Sequence, residues 1–251
     1  MEIISNNKTN IEVLADPESL ARRSVDIFIC DAREAVKAKD KFSVALSGGN
    51  TPARFLELLG QNPEVKTLPW DKIHIFWVDE RCVPAYSQWS NYGLASDTFL
   101  SKVEIPEKNI HRVPTEYDDC KKIVESYEQE IMDVFDLHKG QIPEFDLVVL
   151  GLGEDGHIGS LFADDYALFN SEDLACVVYS LDEKLSRVTL TCPVICAGSD
   201  LVVLVSGERK AEILKEVFSS EPDEVHYSAH LLWPVLDKVT WLVDSEAAKL
   251  L

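Results

Sequence analysis

The chain has 251 residues, 46% of them hydrophobic, and a formal net charge of -20. That length and apolar content suit one large α/β domain with a full core, and no stretch approaches the roughly 18 apolar residues that a membrane span needs. With 24 Lys and Arg against 44 Asp and Glu, nucleic acid and anionic membranes are poor partners, and an anionic ligand needs a local cluster of cations and helix N-termini.

The opening MEIISNNKTN has no basic segment leading into an apolar one, so the reading is a cytoplasmic protein without a secretory leader. An amphipathic helix is predicted over 17–39, followed by a short buried strand at 42–46, FSVAL. Thr51 and Pro52 read as the N-cap and first residue of a helix running through Leu59. Residues 73–78 (IHIFWV) read as a second strand, 91–101 as a helix, 117–137 as a long helix, and 146–150 (DLVVL) as a third buried strand. Further strands are expected at 175–180, 188–191, 200–206 and 239–244, with a helix over 208–218 and a short one at the C-terminus. Continuous Val/Ile/Leu runs separated by helices imply an α/β fold, a three-layer, mostly parallel Rossmann-like sheet with helices on both faces. No repeat, low-complexity tract or Pro/Gly-rich linker divides it, so a single domain over 1–251 is expected. Six cysteines, none in C-x-x-C, read as reduced thiols rather than a disulfide framework or a zinc site.

In such a sheet, ligands sit beyond the carboxyl ends of the strands. The loops after Leu46, Val78, Leu150 and Ser206 are therefore where chemistry is expected. After Leu46, the stretch Ser47, Gly48, Gly49, Asn50 and Thr51 leads into a helix start, which reads either as an anion cradle or as a plain capped turn. No G-K-[ST] follows, so nucleoside triphosphate binding is not expected. After Val78 comes DERCVPAYSQWSNYG, a long polar loop in which Asp79, Glu80 and Arg81 are either a surface ion cluster or groups aimed into the cleft. Asn91 begins the next helical stretch. In GERKAEIL, Lys210 stands in the first turn of a helix, against the dipole's preference for acids there. It is either a solvated lysine or the mark of an expected anion. Arg187, just before VTLT, is one more cation without a local signal.

After Leu150, Gly151, Gly153 and Gly156 spell G-x-G-x-x-G, the spacing of a dinucleotide-binding turn. Three features weaken that reading. The motif follows at least two earlier strands instead of opening the fold; Asp155 would repel a pyrophosphate; and Glu172 and Asp173, near the distance of a ribose-binding acid, precede a strand where they should end one. The alternative is a catalytic turn. Asp155 and His157 flank a glycine, and a carboxylate beside an imidazole fixes its orientation and raises its basicity. An isolated D-x-H is equally often a structural pair.

Taken in order, LSGGNTP, FWVDERCVP with SNYG, LGLGEDGHIGSLF, SRVTLT, GERKAEIL and VTWLVDSEAAKLL resemble the 6-phosphogluconolactonase family, from about Ser43 to the C-terminus. The resemblance implies a metal-free and cofactor-free hydrolase that opens 6-phosphoglucono-1,5-lactone to 6-phosphogluconate, a small-molecule partner. It puts the catalytic base on His157 and its neighbouring acid on Asp155. Phosphate and sugar contacts fall on the Ser47–Thr51 loop, Arg81, Arg187 and Lys210, with Asp79 and Asn91 as further substrate-binding candidates. In the mechanism so implied, His157 takes a proton from water as it attacks C1, and Arg81 or a loop N–H stabilises the oxyanion. A monomer or weak homodimer is expected.

The sequence departs from the family pattern in two places. D-G-H is followed by I-G-S-L-F-A-D instead of T-A-S-L-F-P-G, adding Asp164 and Asp165 after Ala163, and HYSAHLLWP (226–234) replaces a Pro-Ala segment. Two rival functions remain at this level. A glucosamine-6-phosphate deaminase resembles the chain in D-G-H-I, but its motif has a glutamate where Phe162 stands and a tyrosine where Arg81 stands. A non-catalytic sugar-phosphate sensor would call for a helix-turn-helix and a basic face, and has no need of Asp155 and His157.

Overall fold

The structure is a computed structural model that describes 2–6, 9–117, 119–163, 165–179 and 185–251, with the backbone alone at 2–6. In chain order the strands and helices are β1 (Glu2–Asn6), β2 (Thr9–Leu14), α1 (Pro17–Lys39), β3 (Phe42–Leu46), α2 (Asn50–Gln61), β4 (Ile73–Trp77), β5 (Asp79–Arg81), α3 (Asn91–Thr98), β6 (Ile110–His111), α4 (Cys120–Phe135), β7 (Leu147–Gly151), β8 (Ala175–Tyr179), β9 (Ser186–Leu190), α5 (Cys192–Ala197), β10 (Asp200–Val205), α6 (Ala211–Ser219) and β11 (Val239–Asp244). A longer 3-10 segment, Ser228–Lys238, precedes β11.

An eight-stranded sheet runs β1-β2-β11-β10-β7-β3-β4-β6, parallel throughout except where β1 joins β2. Its middle strands are apolar on both faces because both faces are covered. Phe42 of β3 lies opposite Ile73 and meets Phe28 of α1, ring centroids 5.4 Å apart. Phe76 of β4 stands on the alternate face and meets Phe135 and Phe145 at 5.7 and 5.1 Å. The three-layer α/β reading therefore holds. Helix α1 starts where it should: Asp16 accepts from the Ser19 N–H at 2.7 Å with Pro17 as first helical residue, and Asp40 ends it in the left-handed region.

Strand and helix ends mostly fall within a few residues of expectation, and three departures have physical causes. First, α2 begins at Asn50 with Gly49 as N-cap, and the Thr51 side chain caps nothing. Second, the strands expected at 175–180 and 188–191 lie outside the parallel sheet. With β5 they form a three-stranded antiparallel sheet, order β5-β9-β8. The connection from β8 to β9 is far shorter than the dozen or so residues a parallel crossover requires, so the chain must turn back on itself. Ser180 falls outside the described residues. Third, DER, taken as part of a loop, is the strand β5, and the long helix begins only at Cys120. The hairpin β1–β2 and the 3-10 segment 228–238 had no counterpart in the sequence reading. Among the described residues, no helix is long and apolar enough to cross a membrane.

Candidate active site

A pocket of about 580 Å³ opens beyond the carboxyl ends of β3, β7 and β10, where the loops after Leu46, Gly151 and Val205 meet. Asp79 and Arg81 reach it from β5 and Arg187 from β9. Ser47, Gly48, Gly49, Asn50, Thr51, Asn91, His157 and Lys210 complete the list of expected residues that line it. Asp155 does not line it; it stands against the far nitrogen of His157.

That pair is the most reactive-looking feature. His157 Nδ1 lies 2.5 Å from Asp155 Oδ1. Burial raises the Asp155 carboxyl, but the hydrogen bond and charge of His157 outweigh it and take the group down to about 2. An ionised carboxylate only accepts, so in the neutral ring Nδ1 carries the hydrogen and Nε2 keeps its lone pair. Nε2 has no protein partner among the described residues, and the ring borders the pocket. Phe162 packs on the imidazole with centroids 4.5 Å apart and holds it from the other side.

The glycines of 151–156 are explained by this pair. A Cβ on Gly153 would fall 2.2 Å from His157 Nδ1 and 2.4 Å from Asp155 Oδ1. The second glycine of the fingerprint thus makes room for two side chains. Gly156, at φ +84°, supplies the left-handed step that turns Asp155 and His157 to one side. The turn is closed by Gly153 N–H to His157 O at 2.7 Å. It is buttressed from 228–229, inside the stretch that departs from the family pattern: Ser228 Oγ accepts from Ile158 N–H at 3.1 Å, and Ala229 N–H donates to Gly156 O at 3.1 Å.

The opposite rim is the turn after β3. Helix α2 points its N-terminus at the pocket, where the first N–H groups have no carbonyl one turn back. The Ser47 hydroxyl is buried without a protein partner among the described residues, a polar group left for whatever the pocket takes. Asn91 packs directly on Gly48, where a Cβ would sit 1.9 Å from its Oδ1. That oxygen accepts from Arg81 Nη1 at 2.6 Å, while Asn91 Nδ2 donates to Asp79 O at 2.8 Å. Arg81 therefore braces neither the Asp79 nor the Glu80 carboxylate with its guanidinium; it leans on Asn91 and on Trp89 O, at 3.1 Å.

Arg187 stands on β9 of the small sheet, and Lys210 on the turn after β10 of the large one. Arg187, buried, is 3.8 Å from Asp79 Oδ2 and lies over the Phe162 ring at 5.3 Å. Burial and the nearby Arg81 pull its pKa down, and Asp79 pulls it back. Lys210 ends a 3-10 turn, not the first turn of an α-helix, and its Nζ donates to Leu152 O at 2.7 Å. Burial likewise lowers its pKa, against Glu154 and Asp155.

Sequence reasoning missed three supporting residues, Ser160, Asp244 and Arg209, and left Glu80 open between a surface ion cluster and the cleft. Ser160 Oγ donates to Asp79 at 2.7 Å. Asp244, fully buried at the end of β11, accepts from Ser206 Oγ at 2.5 Å, Gly207 N–H at 3.0 Å and Ala247 N–H at 2.8 Å, and so fixes the loop that carries Lys210. Glu80 is buried beside the loop 82–89, and Arg209 spans the mouth to Glu154 at 3.6 Å. An acid closing an apolar strand, as in VTWLVD, was the available signal for Asp244. Asp164, one of the departures from the family pattern, lies outside the described residues.

A family model described as glucosamine-6-phosphate isomerases/6-phosphogluconolactonase matches residues 15–241. The chain is 36% identical over 240 residues to a 6-phosphogluconolactonase of Nostoc sp., covering 96% of this chain and 97% of that protein. The solved structure of 6-phosphogluconolactonase from Thermotoga maritima superposes with a TM-score of 0.78 at 31% identity, covering 94% of this chain and 99% of that one. A monomeric glucosamine-6-phosphate deaminase superposes equally well, TM-score 0.79, over 96% of this chain and 99% of its own, but at 21% identity. That likeness concerns the fold alone and does not choose between the two chemistries.

Proposed function

The chain belongs to the family of glucosamine-6-phosphate isomerases and 6-phosphogluconolactonases, and we propose that it works as the lactonase, hydrolysing 6-phospho-D-glucono-1,5-lactone to 6-phosphogluconate in the oxidative branch of the pentose phosphate pathway. The observation that carries the reading is His157: it lines the pocket, Nδ1 is pinned by an ionised Asp155, Nε2 has no protein partner among the described residues, and Phe162 covers the ring where the deaminase motif has a carboxylate.

The proposed steps need only this chain's own groups. The substrate phosphate sits on the Ser47–Thr51 turn and the α2 N-terminus, with Lys210 on one side and Arg187 on the other. His157 Nε2 accepts a proton from water as its oxygen attacks C1, and the imidazolium is held by Asp155. Charge building on the carbonyl oxygen is met by Arg81 or a loop N–H. Collapse of the tetrahedral adduct breaks the bond from C1 to the ring oxygen, which takes the proton back from His157. The lactone is already an activated ester, so no Ser or Cys nucleophile is needed. The same reading treats 1–251 as one domain, acting in the cytoplasm as a monomer or weak homodimer.

The test is a coupled assay for 6-phosphogluconate release from freshly generated lactone, run beside ammonia release from glucosamine 6-phosphate. Accelerated 6-phosphogluconate formation without ammonia is the expected result; ammonia without 6-phosphogluconate reverses the assignment.

A further inference from the structure

We infer that Glu80 is a positioning residue for the lactone-binding wall: its carboxylate touches no substrate but holds the chain from Arg81 to Tyr92 so that Arg81 and Asn91 face the pocket. The inference rests on the lactonase reading of that pocket.

Side chains alternate along a strand. On β5, Asp79 and Arg81 therefore line the pocket, and Glu80 turns to the other side, where it is 2% exposed. There it meets four donors. Its Oε1 accepts from the N–H groups of Arg81 and Asn91, both at 2.8 Å. Its Oε2 accepts from Tyr92 N–H at 2.8 Å and from Ser90 Oγ at 3.0 Å. Ser90 Oγ in turn accepts from Gly93 N–H at 3.0 Å as the N-cap of α3. One donor is on β5 and three open α3, so the carboxylate closes both ends of the intervening loop, and it sits where the α3 dipole favours an acid.

At its start the loop is also tied by Cys82 N–H to Ser186 O at 2.8 Å, but from Pro84 to Ser90 its backbone bonds are local, Ser87 N–H to Pro84 O at 2.8 Å and Ser90 N–H to Ser87 O at 2.9 Å. Between the two ends, Tyr86 is 91% and Trp89 58% exposed, and Val83 is the buried apolar side chain. Ordering such a segment costs conformational entropy that core packing does not offset. Without the four bonds, Asn91 is held on Gly48 only through its Nδ2 bond to Asp79 O, and the two acceptors of Arg81, Asn91 Oδ1 and Trp89 O, are no longer fixed in place.

Glu80→Gln tests this with nearly unchanged shape. An amide presents one oxygen and one NH2, so at either orientation at least one N–H faces a donor and loses its acceptor. The expected result is a KM for the lactone raised about tenfold, the scale of one buried hydrogen bond lost. kcat should fall as well, because Arg81 is one of the groups proposed to meet the oxyanion, but by less than in His157→Ala, since His157 and Asp155 stand on a different loop. Combining Glu80→Gln with Asn91→Ala should raise KM little beyond Asn91→Ala alone, since both release the same side chains. Should Glu80→Gln not fold, Glu80→Asp keeps both oxygens but draws them back by one carbon, and its KM should also rise. Overturning results are a folded Glu80→Gln or Glu80→Asp enzyme with a wild-type KM and only a lowered melting temperature, or effects of Glu80→Gln and Asn91→Ala that simply add. A wild-type protein that does not hydrolyse the lactone would instead remove the functional reading itself.

Discussion

His157 is one imidazole with its two nitrogens in unlike surroundings, and that inequality can be tested. If His157 is the proposed general base, His157→Ala should lower kcat by about 10²–10⁴-fold, with KM little changed because the proposed phosphate contacts stand on other loops; steady-state kinetics at fixed pH will read it. Gly153→Ala should come close to the same loss without touching a reactive group, since its methyl would occupy the place of His157 Nδ1. Asp155 makes a prediction about pH. Its folded pKa of about 2 lies below the ordinary 3.8, so the stabilisation it supplies is complete above 3.8 and is lost as pH falls through about 2. Asp155→Asn should therefore melt below wild type near neutrality, and the two melting curves should converge between pH 4 and about pH 2. More than half of that side chain is exposed, so the gap is expected to be modest.

Three of the pocket's loops are tied down by a buried acid or hydroxyl. Asp79 is met by Ser160, Glu80 holds the loop after β5, and Asp244 at the end of β11 holds the turn after β10. Asp244→Ala leaves the N–H groups of Gly207 and Ala247 without their acceptor, at about 1–3 kcal/mol for each buried donor. A lowered unfolding midpoint in denaturant should be accompanied by a raised KM, because the loop set adrift carries Lys210. A midpoint shift with unchanged KM would separate that loop from substrate binding.

Across the molecule, the charge of -20 and the pocket's chemistry pull in opposite directions. The pocket gathers Arg54, Arg81, Arg187, Arg209 and Lys210 against Asp79, Glu154 and Glu208, although Arg54 is held by Glu18 and Glu57, each at 2.7 Å. A phosphorylated lactone is thus repelled at long range and attracted at contact. Raising sodium chloride shortens the screening length from about 30 Å at 0.01 M to about 10 Å at 0.1 M. Distant repulsion fades first over that range, so kcat/KM should hold or rise; a steep fall would mean that the local cations dominate approach as well as contact.

The strands FSVAL, IHIFW, LVVLG, DLVVLV and VTWLVD were legible in the sequence because burial on both faces leaves a continuous apolar run, and their carboxyl ends pointed to every loop of the site. The pairing of Asp155 with His157 was legible too, since two residues around one glycine share a turn. What the sequence alone could not decide was anything set by contacts between distant segments. Three-residue β5 reads as polar loop until β9 pairs with it; Glu80 could face solvent or the cleft until α3 brings its donors; Gly153 is a turn glycine whose missing side chain proves to make room for His157 and Asp155 only once the turn is folded. A local pattern determines which face of an element is apolar, but the partner on the other side is chosen by packing, and with it whether a polar group meets a ligand, another side chain or water.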